Sequence, residues 1–274
     1  MGNLKDLQQL NNSLPNQHYK MPVLFVGHGS PMNAIEENVF TKSWASMAVD
    51  IPKPKAILVV SAHWQTNGTA VTAMEQPRTI HDFYGFPREL FAVQYNAPGS
   101  PEFAAEVQQL VKKAELHLDH EWGLDHGTWS ILKHIYPAAD IPVLQLSMDY
   151  TKPPQWHYEL AQELSELRQK GVLIVGSGNI VHNLRLLNWQ NPDVAFDWAE
   201  EVNNQVKQFI LAGDVQPLVK YEQLGKAASL AIPTPEHYLP LLYTLGLQQG
   251  QEQVQFYNDK LQLGAISMTS LRIG

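Results

Sequence analysis

The stretch VLFVGHGSP at residues 23–31 decides the fold, because it joins a short aliphatic run to a turn that contains glycine and histidine. A run of four to eight apolar and β-branched residues is typical of a strand that is buried on both faces. The same arrangement recurs as ILVVSAHW at residues 57–64 and as LIVGSGN at residues 173–179. Three such runs predict a sheet of short, buried strands.

Helical patterns lie between the strand-like runs. One begins at Ser100, an N-cap residue, and has Pro101 at the first helical position, where proline is tolerated. Strands that alternate with helices predict a single three-layer α/β/α domain with a central parallel or mixed sheet. The predicted strands are 23–26, 56–61, 70–74, 143–147 and 173–176, with a final pair near 254–257 and 265–269, and the predicted helices are 101–116, 154–169, 197–211 and 234–245.

The composition is that of a globular protein with one main domain. The chain has 274 residues, of which 44% are hydrophobic and 17% are charged, and no long polar linker divides it. Residues 1–20 are rich in Asn and Gln. We therefore expect a polar, loosely attached N-terminus at 1–20 and one functional domain at 21–274.

Charge and cysteine content exclude several classes of protein. The 19 Lys and Arg residues against 27 Asp and Glu residues give a formal charge of −8, so a nucleic acid is not an expected partner. Because the chain has no cysteine, any metal must be bound by His and carboxylate side chains. No apolar run reaches the roughly 20 residues of a membrane span, and we expect a cytoplasmic protein.

Three of the 11 histidines follow strand-like runs, namely His28, His63 and His182. In open α/β sheets, ligands bind at the carboxyl ends of the strands, which is where these imidazoles are expected. Any one of them is more often an ordinary hydrogen-bonded loop residue. Taken together, the three indicate a site.

Two further histidines have an acidic neighbour. Asp125 and His126 precede a helix, where they would either cap its first turn or polarise a substrate oxygen. Glu236 and His237 stand at another predicted helix start, where they would either complete a metal site or place a carboxylate favourably in the helix dipole. The aromatic segment 83–87 would either pack in the core or form a pocket wall around a flat ring.

Two common catalytic motifs are missing from the sequence. Ser30 lies close to His28, but the chain has no G-x-S-x-G elbow, which argues against a serine hydrolase. The segment 176–179 matches neither a P-loop nor a dinucleotide-binding fingerprint, so nucleotide binding has little support.

Five short motifs give the sequence a specific resemblance. The chain resembles the class III, or LigB-type, extradiol ring-cleaving dioxygenases, and within them the 4,5-DOPA dioxygenase branch. The resemblance extends from His28 to the C-terminus, with the motifs in the family's order. They are GHGSP (27–31), SAHW (61–64), LDHGTW (124–129), GSGN (176–179) with His182, and PEHY (235–238).

The resemblance implies a LigB-like fold and one divalent metal ion, Fe(II) for turnover or Zn(II) as bound. His28 and His63 match the family's metal-binding histidines, and His237 matches the last member of the site. Protocatechuate-type relatives have Glu as the third ligand, so Glu236 is the alternative to His237. A site with histidine ligands alone would favour zinc.

The resemblance also implies two catalytic residues. His182 matches the acid/base histidine beside the metal, where it also counts as a possible ligand. His126 matches the histidine near the substrate, where it would stabilise charge on an oxygen atom.

We therefore expect an extradiol dioxygenase that inserts O₂ into a catechol, with L-DOPA as the favoured substrate and a seco-DOPA semialdehyde as the product. Two alternatives stay open at this point. A zinc hydrolase or amidase on the same scaffold would use the open metal position to activate water. A non-catalytic protein would bind the metal without performing the chemistry.

Overall fold

The computed structural model describes residues 19–274. Residues 1–18, which make up most of the predicted N-terminal segment, lie outside the described residues, so the division at residue 20 stays a prediction. The strands are β1 (Val23–Gly27), β2 (Ala56–Ser61), β3 (Gln65–Thr66), β4 (Thr69–Thr72), β5 (Leu116–Asp119), β6 (Val143–Gln145), β7 (Met148–Asp149), β8 (Val172–Gly178), β9 (Val254–Tyr257), β10 (Leu261–Gln262), β11 (Ile266–Ser267) and β12 (Ser270–Ile273).

Among the predicted α-helices, one ends early, one is interrupted and one begins late. The described chain has α1 (Val39–Met47), α2 (Arg88–Phe91), α3 (Pro101–Leu110), α4 (His126–Ile135), α5 (Pro154–Glu163), α6 (Ser165–Gln169), α7 (Asp197–Ala212), α8 (Gln216–Val219), α9 (Lys226–Ala231) and α10 (Leu239–Gly246). Short 3-10 helices cover Pro31–Ala34, Leu184–Leu186 and Tyr221–Leu224.

The central sheet has six strands in the order β6-β2-β8-β1-β12-β9. The first four strands run parallel, whereas β12 is antiparallel to both of its neighbours, β1 and β9. The prediction of a mixed sheet in an α/β domain is therefore confirmed. The predicted strand at 70–74 is not part of this sheet, because β4 pairs only with β5 among the named strands.

Hydrophobic side chains form a core on each face of the sheet, because neighbouring residues of a buried strand point to opposite sides. Phe25 of β1 packs into one core with the apolar faces of α5, α7 and α10. Leu24 and Val26 of the same strand pack into the other core with α1 and α4. Helices cover both faces, so the molecule has the three layers that the sequence predicted.

Three predicted helix boundaries are wrong. The helix that starts at Pro101 ends at Leu110, and Leu116 already belongs to β5. The helical segment 154–169 is interrupted at Leu164 and forms two helices. The last predicted helix begins at Leu239 and not at 234, so Glu236 and His237 lie in the turn before α10.

A buried ion pair between Arg168 and Glu252 holds together segments near the start and the end of the described residues. The Arg168 side chain is fully buried, donates to the carbonyl oxygens of Met21 and Leu247, and makes a two-point contact with the Glu252 carboxylate at 2.7 and 2.8 Å. Lys20 also contacts Glu252, at 2.6 Å. A buried guanidinium needs this carboxylate, because burial of an unpaired charge is costly.

We expect Glu252→Gln to lower the free energy of unfolding by about 3 kcal/mol, since it leaves the Arg168 charge buried without a counterion. The matched control is Asp50→Asn, which removes the carboxylate of a solvent-exposed pair with Arg272 and should change the free energy of unfolding far less. Urea unfolding followed by tryptophan fluorescence measures both. Equal effects of the two substitutions would contradict the prediction.

The parallel strands β1, β2 and β8 bring their carboxyl ends to the same edge of the sheet. The turns that follow them begin at His28, Ala62 and Asn179, and they carry the histidines that the sequence singled out. Within residues 19–274, no helix is both long and apolar enough to cross a bilayer.

Candidate active site

All five predicted histidines meet at the carboxyl edge of the sheet. Their ring centroids are 5.0 Å apart for His28 and His63, 5.4 Å for His28 and His237, and 5.1 Å for His63 and His237. His126 lies 3.9 Å from His63, and His182 lies 3.5 Å from His237. Residues that are up to 209 positions apart in the sequence thus form one cluster.

Hydrogen bonds fix the tautomer of the His28 ring. Its Nδ1 lies 3.0 Å from the Ser177 hydroxyl oxygen, and that hydroxyl donates its single proton to the Gly127 carbonyl oxygen at 2.6 Å. Ser177 can therefore only accept from His28, so Nδ1 of His28 carries the proton. The other ring nitrogen, Nε2, keeps a free lone pair that faces the cluster.

Two ring nitrogens face each other at the centre of the site. The Nε2 atoms of His28 and His63 are 3.1 Å apart, and Nδ1 of His63 lies 3.5 Å from an Asp82 carboxylate oxygen. A proton on Nε2 of His63 would make this contact an N–H···N hydrogen bond, whereas a proton on its Nδ1, beside the Asp82 carboxylate, leaves two lone pairs facing each other, an arrangement that a cation between them would stabilise. Two imidazoles that bind one Zn²⁺ tetrahedrally at about 2.0–2.1 Å each place their nitrogens about 3.3 Å apart, close to the 3.1 Å of this pair.

Burial keeps these rings neutral. It lowers the pKa of His28 well below its usual range and that of His63 to about 3, and the neighbouring imidazoles contribute to both shifts. The pKa of His237 is also well below its usual range because the ring is buried. At neutral pH the three rings therefore hold unprotonated nitrogens, as metal ligands must.

Asp125 positions the helix that carries His126. Its carboxylate caps α4 by accepting from the Thr128 backbone N–H at 3.1 Å, and it also accepts from the Ser61 hydroxyl at 2.8 Å and from the Gln145 amide at 2.6 Å. The sequence allowed Asp125 and His126 either to cap the helix or to polarise a substrate oxygen, and the structure shows that Asp125 is the capping residue. His126 is the first residue of the helix, and its ring lies within the cluster.

The turn before α10 presents His237 to the same point. Glu236 accepts from the Thr234 hydroxyl at 2.8 Å, and its Oε1 lies 3.1 Å from Nδ1 of His237. The carboxylate therefore lies beside the Nδ1 side of the ring, which leaves Nε2 of His237 as the nitrogen available to the cluster. Both residues also form a possible metal-binding group with His182.

Glycine in β8 allows this turn to approach the sheet. A Cβ atom on Gly178 would lie 2.2 Å from the His237 carbonyl oxygen, which itself accepts from the Asn179 backbone N–H at 2.8 Å. The missing side chain thus allows a close approach between two backbone segments, and neither Gly176 nor Gly178 has a positive φ.

His182 stacks on His237 with an angle of 10° between the ring planes. Burial lowers its pKa to about 4, although the nearby Glu236 charge opposes the shift. The ring is therefore neutral at pH 7 and can accept a proton. Its backbone N–H is bound to the Ala231 carbonyl oxygen at 2.9 Å, which fixes the segment that follows β8.

The aromatic segment 83–87 lies partly in the site and partly in solvent. The Phe83 ring meets the His126 ring edge to face at 5.6 Å and packs against Phe86. Tyr84, in contrast, is 92% exposed. Phe83 is therefore the member of this segment that contacts a cluster histidine.

Sequence reasoning missed the residues that hold the rings in place, namely Ser61, Asp82, Gln145 and Ser177. Ser61 is the last residue of β2 and Ser177 is the last but one of β8, but no spacing rule connects a serine with a histidine on another strand. Asp82 directly follows His81 and precedes the aromatic segment 83–87. Its acidic side chain beside that segment was the one available signal.

The chain matches one protein family and several named relatives. The model of the catalytic LigB subunit of aromatic ring-opening dioxygenase matches residues 17–273. A protein of Escherichia coli (strain K12) named 4,5-DOPA dioxygenase extradiol is 48% identical over 259 residues, which is 93% of this chain and 95% of that protein. A protein of the same name from Beta vulgaris is 37% identical over 257 residues, which is 90% of this chain and 94% of that protein.

A solved structure has the same fold. The crystal structure of an uncharacterized protein from Escherichia coli K12 superposes with a TM-score of 0.81 at 44% sequence identity. It covers 93% of this chain and 100% of its own chain.

Proposed function

The chain belongs to the LigB family of aromatic ring-opening dioxygenases and is an extradiol ring-cleaving dioxygenase, and from this premise we propose that it cleaves L-DOPA with one divalent metal ion. The substrate is taken from the relatives named 4,5-DOPA dioxygenase extradiol, of which the first two are 48% and 37% identical to this chain. In that reaction the C4–C5 bond breaks, both atoms of O₂ enter the product, C4 becomes a carboxylic acid and C5 an aldehyde.

The observation that carries the metal proposal is the 3.1 Å separation of the His28 and His63 Nε2 atoms. We assign His28, His63 and His237 as the ligands, because the family motifs place these three histidines at the metal and each ring has its Nδ1 side next to an oxygen atom. His126 has the same arrangement and forms a possible metal-binding group with His28 and His63, so its substrate-facing role is taken from the resemblance. Glu236 then orients His237 and does not replace it as a ligand. We propose Fe(II) for turnover, because the reaction reduces O₂ and Zn(II) has no redox chemistry, and Zn(II), which a set of histidine ligands favours, as the other ion that the site would bind.

A metal ion held by these residues would supply Lewis-acid and redox chemistry for the reaction of a catechol with O₂. The protein supplies the proton transfer. The neutral His182 ring accepts a proton from a catechol hydroxyl and later returns it, a role that suits an imidazole. His126 stabilises negative charge on an oxygen atom of the reacting pair.

The test is oxygen uptake recorded together with the visible spectrum, on protein reconstituted without air with Fe(II) or with Zn(II). The substrates are L-DOPA and three analogues. Dopamine lacks the carboxylate, 3-(3,4-dihydroxyphenyl)propionate lacks the ammonium group, and 4-methylcatechol lacks both. We expect one O₂ per L-DOPA and a new yellow chromophore in the iron form. The highest kcat/KM is expected for L-DOPA.

Each contrary result points to a different conclusion. Equal kcat/KM for L-DOPA and 4-methylcatechol would contradict the substrate and leave the reaction intact. Metal uptake without oxygen consumption for any diol would favour the non-catalytic binding protein. Hydrolytic turnover in the zinc form without O₂ would favour the hydrolase.

A cytoplasmic location stays a prediction from the sequence.

A further inference from the structure

One carboxylate, that of Asp82, contacts two histidines of the cluster at once. Its Oδ2 atom lies 2.9 Å from Nδ1 of His126 and 3.5 Å from Nδ1 of His63. We propose that Asp82 is a positioning residue that sets the metal-binding tautomer of His63 and orients His126. The inference rests on the proposed metal site, because it assigns His63 as a ligand.

The Asp82 carboxylate is itself held in one orientation. Its second oxygen, Oδ1, accepts a hydrogen bond from the His126 backbone N–H at 2.9 Å. The loop that carries it is tied to the rest of the site through Ile80, whose backbone N–H donates to the Leu124 carbonyl oxygen at 2.7 Å and whose carbonyl oxygen accepts from the Trp129 indole at 2.8 Å. With Oδ1 occupied by the backbone, Oδ2 is the atom that faces the two rings, and it lies near Nδ1 of His126 without the alignment of a hydrogen bond.

An ionised carboxylate only accepts hydrogen bonds, so a ring nitrogen that faces it is stable when it carries a proton. The proton of His63 is thereby kept on Nδ1, and its Nε2 atom, 3.1 Å from that of His28, keeps the lone pair that a metal requires. Contacts of this kind between an oxygen atom and the far nitrogen of a ligating histidine raise metal affinity.

The three assigned ligands each have one such oxygen partner. Ser177 is hydrogen-bonded to His28 at 3.0 Å and Glu236 to His237 at 3.1 Å, whereas Asp82 lies beside Nδ1 of His63 at a longer 3.5 Å. Asp82 differs from the other two partners because it also contacts His126, which is not assigned as a ligand. A loss of Asp82 would therefore disturb a ligand and a substrate-facing residue together.

The test is Asp82→Asn in the full chain, with metal affinity measured by Zn(II) and Co(II) titration against a competing chelator. The amide oxygen can still accept from the His126 backbone, but the amide N–H groups then face the two rings. Because these N–H groups donate to Nδ1, they favour the His63 tautomer that carries its proton on Nε2, and a protonated Nε2 atom cannot bind the metal. We expect metal affinity to fall about 10- to 100-fold and the Co(II) absorption spectrum to change.

Two further variants separate positioning from a general effect on folding. Asp119→Asn is the matched control, because Asp119 also accepts from backbone N–H groups through one oxygen, at residues Glu121 and Trp122, and an amide can keep those bonds. It should leave metal affinity unchanged. Asp82→Glu keeps the carboxylate and should recover part of the affinity that Asp82→Asn loses.

Wild-type affinity and an unchanged Co(II) spectrum in Asp82→Asn would overturn the proposal, as would Asp82→Glu binding metal no better than Asp82→Asn. Thermal melting of the metal-free variants shows whether each is folded. If the wild-type chain itself binds neither ion, the proposed metal site fails. If only the proposed role of Asp82 is wrong, the wild-type chain still binds metal and still cleaves the ring.

Discussion

Replacement of His182 by alanine is expected to lower kcat for catechol cleavage by about 10²- to 10⁴-fold, the usual contribution of a general acid–base residue. The ring stacks on His237 and is neutral at pH 7, since burial lowers its pKa to about 4. Removal of the ring takes away the proton acceptor and leaves the His28–His63 pair untouched. Metal content should therefore stay at the wild-type level.

Three measurements decide this prediction. Oxygen uptake gives kcat, elemental analysis gives the bound metal, and added imidazole should restore part of the activity of His182→Ala by replacing the missing base. The matched control is His117→Ala, at an exposed histidine of β5, which should keep wild-type kcat. Loss of metal in His182→Ala in proportion to the loss of activity would show that this ring is a ligand and not the base.

The second large effect is expected for His28→Ala, which should abolish both metal binding and ring cleavage. His28 is 1% exposed, and its Nε2 atom forms half of the 3.1 Å pair at the centre of the cluster. Alanine leaves the His63 Nε2 atom without its partner, so one of three assigned ligands is lost. We expect metal affinity to fall by more than about 10²-fold and the iron form to show no O₂ uptake above background.

The control for His28→Ala is His134→Ala. His134 is partly buried, whereas His28 is fully buried, and it is likewise hydrogen-bonded, through its Nε2 atom to the Asn33 carbonyl oxygen at 2.7 Å, but it lies outside the cluster. This variant should lose some stability while it retains metal and activity. Wild-type metal affinity in His28→Ala would contradict the assigned ligand set.

Much of the fold followed from local patterns. The runs that became β1, β2 and β8 are apolar because the strands are buried on both faces, so their positions were visible in the sequence. The sequence could not show that β12 lies between β1 and β9 and runs antiparallel to both. Strand order depends on which surfaces pack together over long distances, and no local period records it.

Helix ends were the weakest part of the prediction. The helical pattern after Pro101 continued in the sequence to Leu116, but the chain leaves the helix at Leu110 and Leu116 pairs with Thr69 of β4. At Glu236 the helical expectation failed because the turn before α10 must bring the His237 carbonyl oxygen against Gly178. Tertiary contacts outweigh intrinsic helix propensity in both places.

The sequence by itself determined the chemistry that is available to this protein: no cysteine, and five histidines in five motifs at or near predicted strand ends and helix starts. Only the tertiary structure decided how those rings are held, through the Ser177 hydroxyl behind His28 and the Asp82 carboxylate between His63 and His126. The reason is that residue type and local pattern fix which groups exist and on which element. The proton position on an imidazole depends instead on an oxygen atom that folding brings from elsewhere in the chain.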